Sequence, residues 1–203
     1  MFTITSPRSV RGLSLVELVV FIAVVGVAVA GVLAALNLSA RASADPMTQK
    51  QALSIAEALL EEVQLQAFTY CDPDDPNAAT ALDSAGCTGG AGGANDENRD
   101  PLAPEAGETR TSAVTPFDNV SDYMAPGGLV INPISSIDGT VIAPLAGYSA
   151  TITVAKQGLG AAGGAPAVPP SEALLITVTV TGPASASATL QGYRIRYAPN
   201  ALP

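Results

Sequence analysis

From Leu13 to Leu36 the chain reads LSLVELVVFIAVVGVAVAGVLAAL, 24 residues in which Glu17 is the single charge. Wound as an α-helix, such a run is about 36 Å long, and the hydrocarbon core of a bilayer is about 30 Å thick. The run is therefore long enough to cross a membrane. It is too long for the apolar core of a secretory signal peptide, which spans about 7 to 15 residues. Arg8 and Arg11 precede it, with no acidic residue beside them. Basic flanks stay on the cytoplasmic side, which puts residues 1–12 in the cytoplasm and the chain beyond about residue 37 across the membrane.

Charge and composition narrow the chemistry. Nine Lys and Arg stand against eighteen Asp and Glu, a formal net charge of -9. A nucleic-acid partner would need cations to neutralise its phosphates, so none is expected. The chain contains no His, which removes the usual proton shuttle and the commonest metal ligand. Ser and Thr are plentiful, but none stands in a setting that supplies an activating base. The Gly-rich pieces GGAGGAN and GAAGGAP lack the Gly-Lys-Ser/Thr ending of a phosphate loop and read as flexible connections. No catalytic constellation and no cofactor site emerge, and the chain reads as something other than an enzyme.

Glu17 is the most informative residue of the apolar run. A carboxylate inside an apolar helix costs several kcal/mol unless it is paired, protonated or held near the headgroups. The stretch before it, Arg11-Gly12-Leu13-Ser14-Leu15-Val16-Glu17, resembles the processing site of class III signal sequences in type IV pilins and pseudopilins. The resemblance implies a leader of residues 1–12, cleavage by a prepilin peptidase between Gly12 and Leu13, and N-methylation of Leu13. Most members begin with Phe or Met where this chain has Leu13. Glu17 becomes the fifth mature residue, and when apolar helices bundle in a filament it faces the Leu13 amine of a neighbour. Such a pair adds little net stability, but a wrong register strands one buried charge at a cost of about 3 to 5 kcal/mol. Gly26 and Gly31 lower helix propensity within the run.

Beyond the span, residues 37–44 are small and polar, and Asp45-Pro46 reads as a helix cap followed by Pro at the first helical position. From Met47 to about Phe68, Ala52, Ile55, Ala56, Leu59, Leu60, Val63 and Ala67 recur at three-to-four spacing, which predicts an amphipathic helix lying on a sheet. In the C-terminal third, Tyr148, Ala150, Ile152 and Val154 share one strand face. Leu174, Ile176, Val178 and Val180 share another, and Tyr193, Ile195 and Tyr197 a third, alternating with Arg194 and Arg196. Segments between these runs, GPASASATLQG among them, read as turns, so an antiparallel meander follows, with 128–132 and 140–143 as possible extra strands. The expected class is α+β: a long N-terminal helix, part membrane span (13–36) and part linker plus amphipathic helix (37–70), with an antiparallel β-sheet portion over 71–203.

The wording ADPMTQKQALSIAEALLEEVQLQAF, then Cys71-Asp72-Pro73-Asp74-Asp75, and later Phe117-Asp118-Asn119-Val120-Ser121-Asp122-Tyr123 is similar to the MshD-type minor pilins of the mannose-sensitive haemagglutinin pilus. That resemblance spans roughly residues 8–75 and 110–128, and more loosely the final strands. It implies a pilin-like fold and a minor subunit of a type IV pilus, supporting pilus biogenesis and adhesion. It also implies an inner-membrane protein with a periplasmic β-sheet portion, later part of a surface filament. Its partners would be a prepilin peptidase, other major and minor pilins and the inner-membrane assembly platform. Three rivals stand beside this reading: a minor pseudopilin of a type II secretion system, a filament-borne adhesin, and an ordinary single-span periplasmic protein.

Cys71 and Cys87 fall on the side of the membrane where disulfides persist. A bridge between them would stabilise by about 3 kcal/mol in the chain-entropy model; two free buried thiols are the alternative. Asp72, Asp74 and Asp75, and separately Asp96, Glu97 and Asp100, offer oxygen clusters for Ca²⁺, but neither has the spacing of an EF-hand loop. They read as solvated acidic loops with no metal. In the stretch 117–123, two acids and Asn119 between aromatics suit a cation or a partner, but the favoured reading is turn caps, with Phe117, Val120 and Tyr123 packed inward.

Overall fold

The computed structural model describes residues 14–125, 127–160 and 168–201, with the backbone alone over 38–45. The chain divides into two units that meet between Ala44 and Asp45. One helix, α1 (Leu15–Leu65), supplies residues to both. The break expected over 37–46 is absent, since α1 continues through it with Pro46 inside. An interior Pro has no N–H to give the carbonyl four residues back and costs about 3 kcal/mol. The alternating alanines at 40, 42 and 44, among the best helix formers, favour continuation.

In the second unit, four strands form an antiparallel meander in the order β1 (Leu129–Ile131), β2 (Ser149–Lys156), β3 (Ala173–Thr181) and β4 (Ser187–Ile195). The expected arrangement of a helix with an antiparallel sheet is present, an α+β architecture. The segment 140–143 is not a strand. Val141 makes an isolated bridge to Ser135, and Pro144 then sits inside a 3₁₀ turn, Ala143–Leu145.

The stripe anticipated on the helix is the stripe that packs. Ala52, Ile55, Ala56, Leu59 and Val63 are buried against Ile152 and Val154 of β2 and Leu174, Ile176, Val178 and Val180 of β3. Each fully buried aliphatic side chain contributes about 1.5 to 3 kcal/mol, so this one interface carries much of the unit's stability. Glu57 and Glu61 stay on the exposed side of the helix. Glu62 does not. It accepts from Arg110 Nε and Nη2, both at 2.7 Å, and from the Tyr123 hydroxyl at 3.0 Å. Arg110 also donates to the carbonyls of Ser135 and Ser136, so one bidentate pair ties the helix to two loops.

The last strand departs from expectation in two ways. It starts at Ser187, taking in residues read as a turn, and its alternation faces the opposite way. Tyr193, Ile195 and Tyr197 are exposed, while Ala188, Leu190, Gly192 and Arg194 lie on the covered side. Two local features favour the arginines there. Arg194 Nη2 donates to the Gln66 carbonyl at 3.2 Å, just past the end of α1, where unpaired carbonyls attract cations. The Arg196 guanidinium lies 3.9 Å from the Phe68 ring centre and 4.5 Å from that of Tyr70, and Nη1 pairs with Glu172 at 3.3 Å.

The turn between β3 and β4 is held to the helix through Gln49, which donates to the Ser187 carbonyl and accepts from its N–H, and through one ring. The Tyr148 hydroxyl donates to Gln51 Oε1 at 3.0 Å, and its ring lies on Gly182, where a methyl group would collide with it. Replacing Gly182 by Ala should push the ring away and lower stability by about 1 to 3 kcal/mol, read as a fall in the urea midpoint with an unchanged slope. An unaltered midpoint would show that the ring moves at no cost.

Candidate functional site

Two regions bear on function, one in each unit. In the first, Gly12 and Leu13 lie outside the described residues, so the cleavage and methylation positions have no structural account. Helix α1 opens immediately after them. The Ser14 hydroxyl accepts from the Glu17 backbone N–H at 3.2 Å, which caps the first turn. Ser14-x-x-Glu17 thus has the spacing of a capping box, with the carboxylate at the positive end of the helix dipole. From Leu15 to Asn37, 23 residues none of which is buried within the chain, the mean hydropathy reaches 2.9 over an 18-residue window. Length and composition suit a membrane crossing, and the flanking side chains Leu15, Val16 and Leu18 leave Glu17 on an otherwise apolar surface.

In the second unit, Cys71 and Cys87 form a disulfide with their Cα atoms 5.3 Å apart. It packs against Ala78 and Ala81, with Tyr70 beside it. Asp75 braces the same loop: Oδ2 accepts from the Thr88 N–H at 2.7 Å, and Oδ1 from the Asn77 N–H at 2.8 Å. Asp96 similarly accepts from the N–H groups of Gly92 and Asn98. Four of the six acids are not solvated as the sequence suggests. Asp72, Asp75, Asp96 and Glu97 are buried, whereas Asp74 and Asp100 are exposed. Asp72, Asp74 and Asp75 do not converge as a ligand set. Asp75 is occupied by the turn, and Asp74 gives its N–H to Asp72 Oδ1 at 2.6 Å.

Convergence occurs elsewhere. Glu97, Glu105 and Asp122 each present a carboxylate oxygen within 4.8 Å of the other two, and Asp72, Glu108 and Asp118 form a second such trio. Asp122 comes from the 3₁₀ turn Val120–Tyr123, capped at Asn119. Its Oδ2 completes that cap by accepting from the Asn119 N–H at 2.7 Å and the Asp118 N–H at 3.1 Å. Phe117, Val120 and Tyr123 pack inward as anticipated. Capping uses one oxygen only; Asp122 Oδ1 and Glu97 Oε1 are buried and accept no hydrogen bond from the described protein groups. The nearby cation is Arg99, whose Nη1 pairs with Glu105 Oε1 at 2.6 Å.

So many carboxyls under so little water resist ionisation. Burial, then the charges of Asp122 and Glu105, hold Glu97 well above the usual carboxylate range. Burial is also the main cause at Asp122, pushed up to about 9, at Glu108, to about 8, and at Asp118, to about 7. Neighbouring carboxylates add to each. Sequence reasoning named Asp118 and Asp122 as turn caps and missed Glu105 and Glu108. These two lie in a Gly- and Pro-rich stretch without periodicity, and only the fold brings them to the others.

Comparison with family models, with curated proteins and with solved structures finds no match for this chain.

The raised acids have a definite consequence for pH. Their folded-state pKa values exceed the unfolded ones, so the native chain binds protons that the unfolded chain has released. That stabilisation is complete below the ordinary carboxylate range and is lost as pH rises through about 7 to 9. In chelating buffer the urea midpoint should therefore fall steadily between about pH 6 and pH 9. A flat or rising profile would contradict this electrostatic reading.

Proposed function

We propose that the chain is a structural subunit of a type IV pilus, of the minor-pilin kind, and not an enzyme. The observation that carries this reading is the exposed apolar segment Leu15–Asn37 with Glu17 in its first turn. It occurs in a chain whose second unit packs a helix on an antiparallel sheet. We read that α+β arrangement as pilin-like. In this reading a prepilin peptidase removes residues 1–12, and the freed Leu13 amine is methylated. The subunit waits in the inner membrane with its second unit in the periplasm, and an assembly platform then moves it among other pilins into a surface filament.

The chemistry of assembly follows from what the apolar segment lacks. Its side chains have no cover within the chain, so they are stable only in lipid or against other apolar helices. Moving from lipid to a helix bundle exchanges one apolar setting for another at little cost in burial. Register then depends on the polar groups, and Glu17 with a neighbour's terminal amine supplies the one charge pair that a shifted register would break.

Replacing Glu17 by Ala should leave the chain in the membrane fraction, since removing a charge makes insertion easier. Its recovery in sheared filaments should drop at least about tenfold, matching the loss of a register-setting pair. Undiminished recovery in filaments would count against the proposed role.

A further inference from the structure

We propose that Glu97, Glu105 and Asp122 bind a single calcium ion. The inference rests on the second unit alone and stands whether or not the chain is a pilus subunit.

Three observations carry it. The first is convergence, because three carboxylate oxygens within 4.8 Å of one another are close enough for small side-chain adjustments to bring all of them onto one calcium ion. The second is the pair of orphaned atoms. Glu97 and Asp122 are each 1% exposed, and Glu97 Oε1 and Asp122 Oδ1 accept no hydrogen bond from the described groups. A buried carboxylate oxygen without a partner is costly, and native structures rarely keep one without an ion, a proton or water to satisfy it. The rest of each carboxylate is already committed: Glu97 Oε2 to the Ser121 hydroxyl, Asp122 Oδ2 to the cap of its own turn. What remains free on both side chains is one buried oxygen each.

The third observation is charge. Arg99 offsets one of the three carboxylates, through Glu105. Its guanidinium also holds the carbonyls of Ala94 and Ala103. A divalent cation would displace the protons that burial otherwise holds on Glu97 and Asp122, and its charge would balance the two carboxylates so formed. An all-oxygen donor set selects calcium or magnesium over zinc and copper. The ligands come from irregular loops and a 3₁₀ turn, and they do not impose the near-ideal octahedron that magnesium demands, which favours calcium. The second trio is less compelling, since Glu108 and Asp118 are half-buried and within reach of solvent.

A bound ion would join three points of an otherwise irregular stretch. Glu97 follows the segment that pairs with the disulfide through the Cys71–Asp96 bridge. Glu105 sits on the loop beyond Leu102, and Asp122 sits on the turn that buries Tyr123 against Glu62 of the helix. Calcium would thus fasten the loop region between helix and sheet.

The test uses the full-length chain in detergent micelles, stripped of metal with a chelator and then dialysed. Thermal unfolding is followed in chelator, in about 2 mM calcium chloride and in the same concentration of magnesium chloride, beside calorimetric titration with calcium. Calcium should raise the melting temperature by about 5 °C, saturate at one ion per chain and outperform magnesium. The double variant Glu97→Gln, Asp122→Asn keeps the side-chain shapes and removes the repulsion. It should melt in chelator no lower than the unmodified chain and lose the response to calcium, whereas Glu57→Gln, on the exposed helix face, should keep it. No calcium-dependent shift and no heat of binding in the unmodified chain would overturn the proposal, as would an undiminished response in the double variant. An equal response to magnesium would overturn the assignment to calcium. If the double variant fails to fold, calorimetry on the unmodified chain still decides.

Discussion

Water is a poor solvent for the first half of α1, and that constraint governs what the chain can be. Between Leu15 and Asn37 no side chain is buried within the chain, and large aliphatics such as Val16, Ile22, Val27 and Leu33 are more than half exposed. Each such residue stands to gain about 1.5 to 3 kcal/mol on leaving water. No surface charge elsewhere could offset a stretch of that length. The segment needs an apolar setting, and the proposed passage from membrane to filament would provide one at each stage.

The second unit meets a different demand, because it must bury its own core with few aromatic residues and many connecting loops. It does so by laying one helix stripe across β2 and β3. The loops are then secured with polar bonds placed where burial makes them count. The Glu62–Arg110 pair, the Tyr148–Gln51 hydrogen bond, the stacked Arg196 and the Cys71–Cys87 bridge each fasten a segment that lacks regular structure. The acid clusters belong to the same region, and two of their buried oxygens, Glu97 Oε1 and Asp122 Oδ1, lack partners among the described groups. The protons that these acids hold link stability to pH, and the proposed calcium ion would act through the same few residues.

Much of this was legible in the sequence because it rests on periodicity. The helical stripe from Ala52 to Val63 and the alternation in β2 and β3 follow from one-sided burial, and side-chain spacing reports that directly. Strand β4 was read with its faces exchanged because apolar residues were assumed to point inward. Phe68, Tyr70 and the open carbonyls past α1 instead make the inner side a good place for guanidinium groups. The continuity of α1 through Pro46 was missed because a capping signal is local, and it competes with the alternating alanines at 40, 42 and 44, whose helix preference is summed over several residues. The acid trio of Glu97, Glu105 and Asp122 had no local signature. Its members are separated by irregular chain, and only the burial of Tyr123 and the folding back of the loop after Asp96 bring them within reach of one another.

The central claim is that an apolar helix is released at its cytoplasmic end and then packs among its like. The most direct test is the intact mass and amino-terminal sequence of the chain isolated from membranes of its native host. The account predicts a chain that begins at Leu13 and carries one methyl group on its amine. A mature chain that retains residues 1–12 would contradict it.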